Sequence, residues 1–141
     1  AARIELGDSI LARDTECCIH EANRDHVRAL ALAIDGLQRF PGARHLLLHQ
    51  AHCLAVIDDI AEARALVAQH VALAGDADAF AQAFVEAGNP DLDRFFACAE
   101  TVVRRQEPSL MLLPFHPAFE RARADARWTT FARQVLRYPL T

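Results

Sequence analysis

The residues best suited to chemistry are His45, His49 and His52, followed at once by Cys53. On a helix, positions i, i+4 and i+7 share one face with their side chains about a turn apart. Imidazoles so spaced can share a transition metal, and a nearby thiolate can add a soft ligand. Cys17, Cys18 and His20 lie on the preceding equivalent segment, so donors can also meet across two helices. Yet no Asp, Glu or Cys on the same helix completes a familiar metal spacing. A second chemistry needs no metal, because a face of several histidines changes charge near neutral pH and can meet a partner. The plain alternative is three part-exposed residues of a helix rich in Ala and Leu.

The remaining charged groups read as helix punctuation. Asp58, Asp59 and Glu62 stand at a helix start, where caps and the helix dipole favour carboxylates. Arg104 and Arg105 close a helix, where cations are favoured. Arg121, Arg123 and Arg127, with Asp125 among them, suggest ion pairing. No G-x-S-x-G, phosphate loop, H-E-x-x-H or C-x-x-C occurs in the sequence, so catalysis has no warrant and no cofactor is expected.

The elements that position the histidines come from Arg44 to Gly75, which reads as two helices joined by a corner at Asp58-Asp59. Its apolar or small positions are Leu47, Ala51 and Leu54, then Ala63 and Val67. A step of 34 residues takes Ala29 to Ala63 to Ala97, Ala33 to Val67, and Pro41 to Gly75. A period of this length carrying one helix pair marks a stacked array, since no pair buries its apolar stripe alone. Small residues at the repeated position let helices approach closely.

Upstream, Ile4, Leu6, Ile10 and Leu11 suggest a short leading helix, and Asp14-Thr15 a helix start. Asp25 is placed to cap a helix over 26–40 with Val27, Leu30, Ala31, Ile34 and Leu37 buried, ended by Pro41-Gly42. Downstream, 76–87 carries Phe80 and Phe84 at core spacing, Gly88-Asn89-Pro90-Asp91 makes a corner, and 92–105 carries Phe95 and Phe96. Pro108, Pro114 and Pro117 forbid a long helix beyond. In this closing segment Phe115-His116-Pro117-Ala118-Phe119 starts a short helix, and Asp125 caps a last helix with Trp128, Phe131, Val135 and Leu136.

Bulk properties agree with helices. The 141 residues, 52% of them hydrophobic, fit one domain with a real core. A net charge of −4 argues against a nucleic-acid surface. No apolar run approaches the ~20 residues that span a bilayer, and no signal peptide opens the chain. The four cysteines lack the spacing of a secreted disulfide framework and read as reduced thiols, which favours the cytoplasm. The Ala-Ala start suggests a piece of a longer protein.

The pattern resembles the tetratricopeptide repeat family, with Leu47, Ala51, Leu54, Ala63 and Val67 in one unit and Cys17, Ala29, Ala33, Gly36 and Pro41 in the unit before. His70, Gly75 and His20 depart from it. The segment from Gly88 onward is also similar to the closing part of bacterial regulators that end in such repeats. The matching residues are Gly88, Asp91, Phe95, Leu110, Pro117, Phe119, Arg123, Asp125, Arg127, Trp128 and Phe131, while His116 and Ala126 depart. The resemblance implies an all-α helical-hairpin superhelix of about seven or eight helices, with repeats near 10–43, 44–77 and 78–108 and a Pro-rich cap over 109–141. It implies a protein–protein interaction module of a bacterial transcriptional or signalling protein. A peptide, a partner domain, its own parent chain or a second copy would be held in the concave groove of first helices. Groove positions fall on His45, His49, His52 and Glu86, with Leu11, Thr15 and Cys18 upstream and Ala79 and Ala83 downstream. The alternative is a metal- or small-ligand sensor centred on the same histidines.

Overall fold

A computed structural model describes residues 8–57, 59–74 and 78–135. Among these, the regular elements are eight α-helices and two 3₁₀ turns. They are α1 (Ile10–Ala22), α2 (His26–Arg39), α3 (Arg44–Val56), α4 (Ile60–Ala74), α5 (Ala79–Glu86), α6 (Asp93–Arg104), α7 (Glu120–Ala124) and α8 (Arg127–Gln134), with 3₁₀ turns at Pro108–Leu112 and Pro117–Phe119. The fold is all-α, as the pattern predicts. Helices pair as α1/α2, α3/α4 and α5/α6, and neighbouring pairs stack through α1 and α2 on α3, and α3 and α4 on α5.

Local chemistry explains most boundaries. Ser9 Oγ accepts from the Ala12 amide at 3.1 Å and starts α1, so Asp14 and Thr15 lie inside that helix and do not begin one. Asp25, Asp59 and Asp78 cap α2, α4 and α5 as acceptors for the amides of Arg28, Glu62 and Ala81. Asn89 and Asp91 order the corner before α6. Ile4 and Leu6 of the expected leading helix, Asp58 of the central corner, Gly75 and Leu136 fall outside the described residues, and Ile10 and Leu11 belong to α1.

The packing corrects two expectations. On α2 the buried residues are Ala29, Ala33 and Gly36, whereas Val27 is 69% and Ile34 40% exposed. The neighbours pack on the small-residue ridge because it admits close approach. At Gly36 a Cβ would meet Leu46 Cδ1 at 2.7 Å. The 34-residue step also slips in the third pair. Ala29 and Ala63 are fully buried, but Ala97 is exposed and Ala99 is buried with Phe95 and Val102, at i, i+4 and i+7.

The closing segment meets the last helix of the stack, α6, through Pro108–Leu112 and through Phe131 against Phe96, and it also folds back. The 3₁₀ turn at Pro117–Phe119 packs on α1, the first described element. Phe119 is fully buried, with its ring 5.4 Å from Phe84, 5.7 Å from Phe95 and 5.9 Å from Phe80. The segment thus lies across the first helices of the pairs. Arg123 fixes it by donating to the carbonyls of Leu113 (3.2 Å) and His116 (2.8 Å), and Arg121 donates to Asn89 O at 2.6 Å. Of the three arginines expected to ion-pair here, Arg127 does so, with Asp125 and Asp93. For Arg121 and Arg123 the bonds go to backbone carbonyls.

Candidate functional site

The three histidines of α3 separate. His45, in the first turn of α3, is exposed. His49 and His52 turn inward, 1% and 3% exposed. Glu86, the fourth expected groove contact, is 4% exposed and sits elsewhere. Burial follows from the segment above: His116 lies 5.6 Å from His49 and edge-on to Phe84 at 4.9 Å, so the His49–His52 part of the face read as a groove is interior, while its His45, Leu11 and Thr15 end is exposed.

His49 is the centre of a polar seam between α1 and α3. Its Nδ1 lies 2.7 Å from Glu21 Oε1 and its Nε2 2.8 Å from Asp14 Oδ1, so each ring N–H donates to a carboxylate. Cys18 Sγ is 3.8 Å from the same Nε2 and 3.5 Å from His116 Nε2. Cys18, Glu21, His49 and His116 each offer an atom within 4.8 Å of those of the others. Glu21 Oε2 is buried with no hydrogen-bond partner, a position that ordinarily costs free energy.

The electrostatics follow from these contacts. Burial pushes His49 down, but bonds to Asp14, Cys18 and Glu21 outweigh it and raise its pKa to about 12, so the ring is an imidazolium. Burial raises the Glu21 and Asp14 carboxyls, but the His49 bond together with the charge of the surrounding histidines outweighs it and holds both below their ordinary values. Two carboxylates thus face one imidazolium. His116 has no such partner, and burial lowers it to about 4. Its Nδ1 accepts from the Ala118 amide at 3.1 Å, which leaves the proton on Nε2, aimed at Cys18.

His52 belongs to a different environment. Its Nδ1–H donates to Phe84 O at 2.9 Å, its ring is 5.8 Å from His26, and burial lowers its pKa. It borders a cavity of about 380 Å³ closed by Pro117, Ala118 and Arg121. Cys53 and Cys17 are buried thiols, donating to Glu21 Oε1 (3.5 Å) and Ala29 O (3.7 Å), with burial raising both.

Glu86 lines a separate cleft of about 590 Å³ between α4, α5 and α6. Arg64 donates to it twice, at 2.7 and 3.1 Å, and Asn89 once at 3.1 Å, with Arg94 4.0 Å away and exposed. Val67, Ala68, Val85, Ala97 and Cys98 supply the apolar surface.

The four expected contacts therefore fall in four places. The reading missed Asp14, Glu21 and His116. A signal for two of them existed: Asp14, Cys18 and Glu21 repeat on α1 the i, i+4, i+7 spacing of the α3 histidines. No protein-family model matches the chain, and no curated protein or solved structure matches it.

Proposed function

We propose that the chain is a protein–protein interaction module that takes a short peptide in the cleft between α4, α5 and α6. The first-helix face, where the sequence put the groove, is filled by the chain's own His116 and Phe119. The observation that carries the proposal is the open cleft of about 590 Å³, apolar between Val67 and Val85 and flanked by Arg64 and Arg94. Glu86 already satisfies Arg64, whereas Arg94, 67% exposed, projects its charge beside the cleft. An occupant with one apolar side chain and a neighbouring carboxylate fits both features. The tetratricopeptide resemblance extends this to the regulatory part of a bacterial transcriptional or signalling protein working in the cytoplasm. No described helix is long and apolar enough to cross a membrane.

The test is amide chemical-shift mapping with a panel of short acidic-apolar peptides. Shifts confined to 64–68, 82–86 and 94–98, and lost in Ala97→Arg, support the cleft. No saturable shift from any peptide, or shifts that persist in Ala97→Arg, contradict it. A second reading, a metal- or small-ligand sensor, draws its support from the donor cluster at His49.

A further inference from the structure

We propose that Cys18, His49 and His116 hold a divalent ion of the zinc class, with the fourth position left to water and Glu21 orienting His49. The ion would clasp the closing segment to α1 and α3.

The first argument is geometric. In a tetrahedral site, Zn–S of about 2.3 Å and Zn–N of about 2.0 Å place sulfur and nitrogen about 3.5 Å apart. Cys18 Sγ lies 3.5 Å from His116 Nε2 and 3.8 Å from His49 Nε2. Both nitrogens converge on one sulfur at the span an ion between them requires. Asp14 Oδ1, 2.8 Å from the same His49 nitrogen, accepts its proton in the metal-free chain and stands outside the donor group.

The second argument is the surrounding shell. A metal-bound histidine normally donates its other N–H to a carboxylate, which fixes the ring. Glu21 Oε1 accepts from His49 Nδ1 at 2.7 Å, leaving Nε2 for the ion. The third argument is an unmet acceptor: Glu21 Oε2, in the same donor group, is buried without a hydrogen-bond partner. Cys18, Asp14 and His116 are all part-exposed, which leaves a way in.

Loading has a definite proton account. The proton on His49 Nε2 and the thiol proton of Cys18 leave to solvent. At His116 the proton moves from Nε2 to Nδ1, so the Ala118 amide must turn away from the ring it now contacts at 3.1 Å. Ala118 is therefore the backbone reporter of the bound state.

The test is titration of the reduced, chelator-stripped chain with Co²⁺ and Zn²⁺. One equivalent of Co²⁺ should give tetrahedral d–d absorption with sulfur-to-cobalt charge transfer, and Zn²⁺ should displace it. Zn²⁺ should raise the melting temperature with the logarithm of its concentration and shift the Ala118 amide. Cys18→Ser should abolish the charge transfer. His116→Asn keeps an acceptor for the Ala118 amide, so it should fold like the native chain yet bind at least about tenfold more weakly. Glu21→Gln should weaken binding about 10–100-fold, and the exposed His45→Ala should change nothing. No cobalt signal at stoichiometric metal overturns the proposal. So does charge transfer that survives Cys18→Ser, or native affinity in a folded His116→Asn.

Discussion

On one side of α3 lies a seam of carboxylates, imidazole and thiol shared with α1. Next to it, where Phe84 meets the rings of His49 and His116, phenyl rings from α5, α6 and the closing segment pack, mostly edge to face. Glu21, His49 and Cys53 fill the first, and Phe80, Phe84, Phe95 and Phe119 the second. The two are held differently. The aromatic seam needs only shape and apolar area, and tolerates any pH. The polar seam is bound by charges that must stay paired, and leaves one carboxylate oxygen unpartnered. The difference separates a part of the core that only stabilises from a part whose stability responds to protons and ions.

Substitutions can break this contrast in order of size. Phe119→Ala removes the ring that joins three others, and should cost about 3–5 kcal/mol in urea unfolding. That loss should be independent of salt and pH. His49→Gln leaves Asp14 and Glu21 facing each other without the imidazolium, and should cost about 3 kcal/mol, reduced because Asp14 is partly exposed. Here the loss should shrink on acidification, as the stranded carboxylates take up protons. Gly88→Ala probes the hinge between the seams: a Cβ there meets Ala55 Cβ at 2.8 Å and His52 O at 2.9 Å, so about 1–3 kcal/mol is expected. Gly36→Ala should cost less, because Leu46 and Arg13 present flexible side-chain atoms.

The smallest effect is a pH slope. Burial depresses His52 below its ordinary 6.5, so the unfolded chain binds its proton more readily. Stability from this group is present above pH 6.5 and lost as pH falls below it, by at most about 1.4 kcal/mol per unit. In chelator-containing buffer, His52→Asn should flatten that acid arm in a melting-temperature profile. An unchanged arm would remove His52 from the account.

How much of this was legible follows from range. Helix type, the caps at Asp25 and Asp59, the corner at Gly88 and the core phenylalanines are local or periodic signals, and the sequence shows them. The slip from Ala97 to Ala99 was hidden, because a fixed 34-residue step does not say which face α6 buries, and packing selects Phe95, Ala99 and Val102. The burial of His49 was hidden for a deeper reason. It depends on His116, 67 positions later by number, folding back over α1 and α3. Three prolines there forbid a long helix, yet they do not say which face the chain will cover. Once that fold-back is known, the matching spacing of Asp14, Cys18 and Glu21 becomes readable as half of a site.

The fold-back of the closing segment is the central claim, since it both fills the first-helix face and assembles the cluster. Aromatic nuclear Overhauser spectroscopy on the native chain tests it directly. The account predicts cross-peaks between the Phe84 ring and the ring of His116, whose centroids are 4.9 Å apart, and between the Phe84 and Phe119 rings, 5.4 Å apart. A helical, folded chain lacking those cross-peaks would contradict it, returning His49 and His52 to an open face.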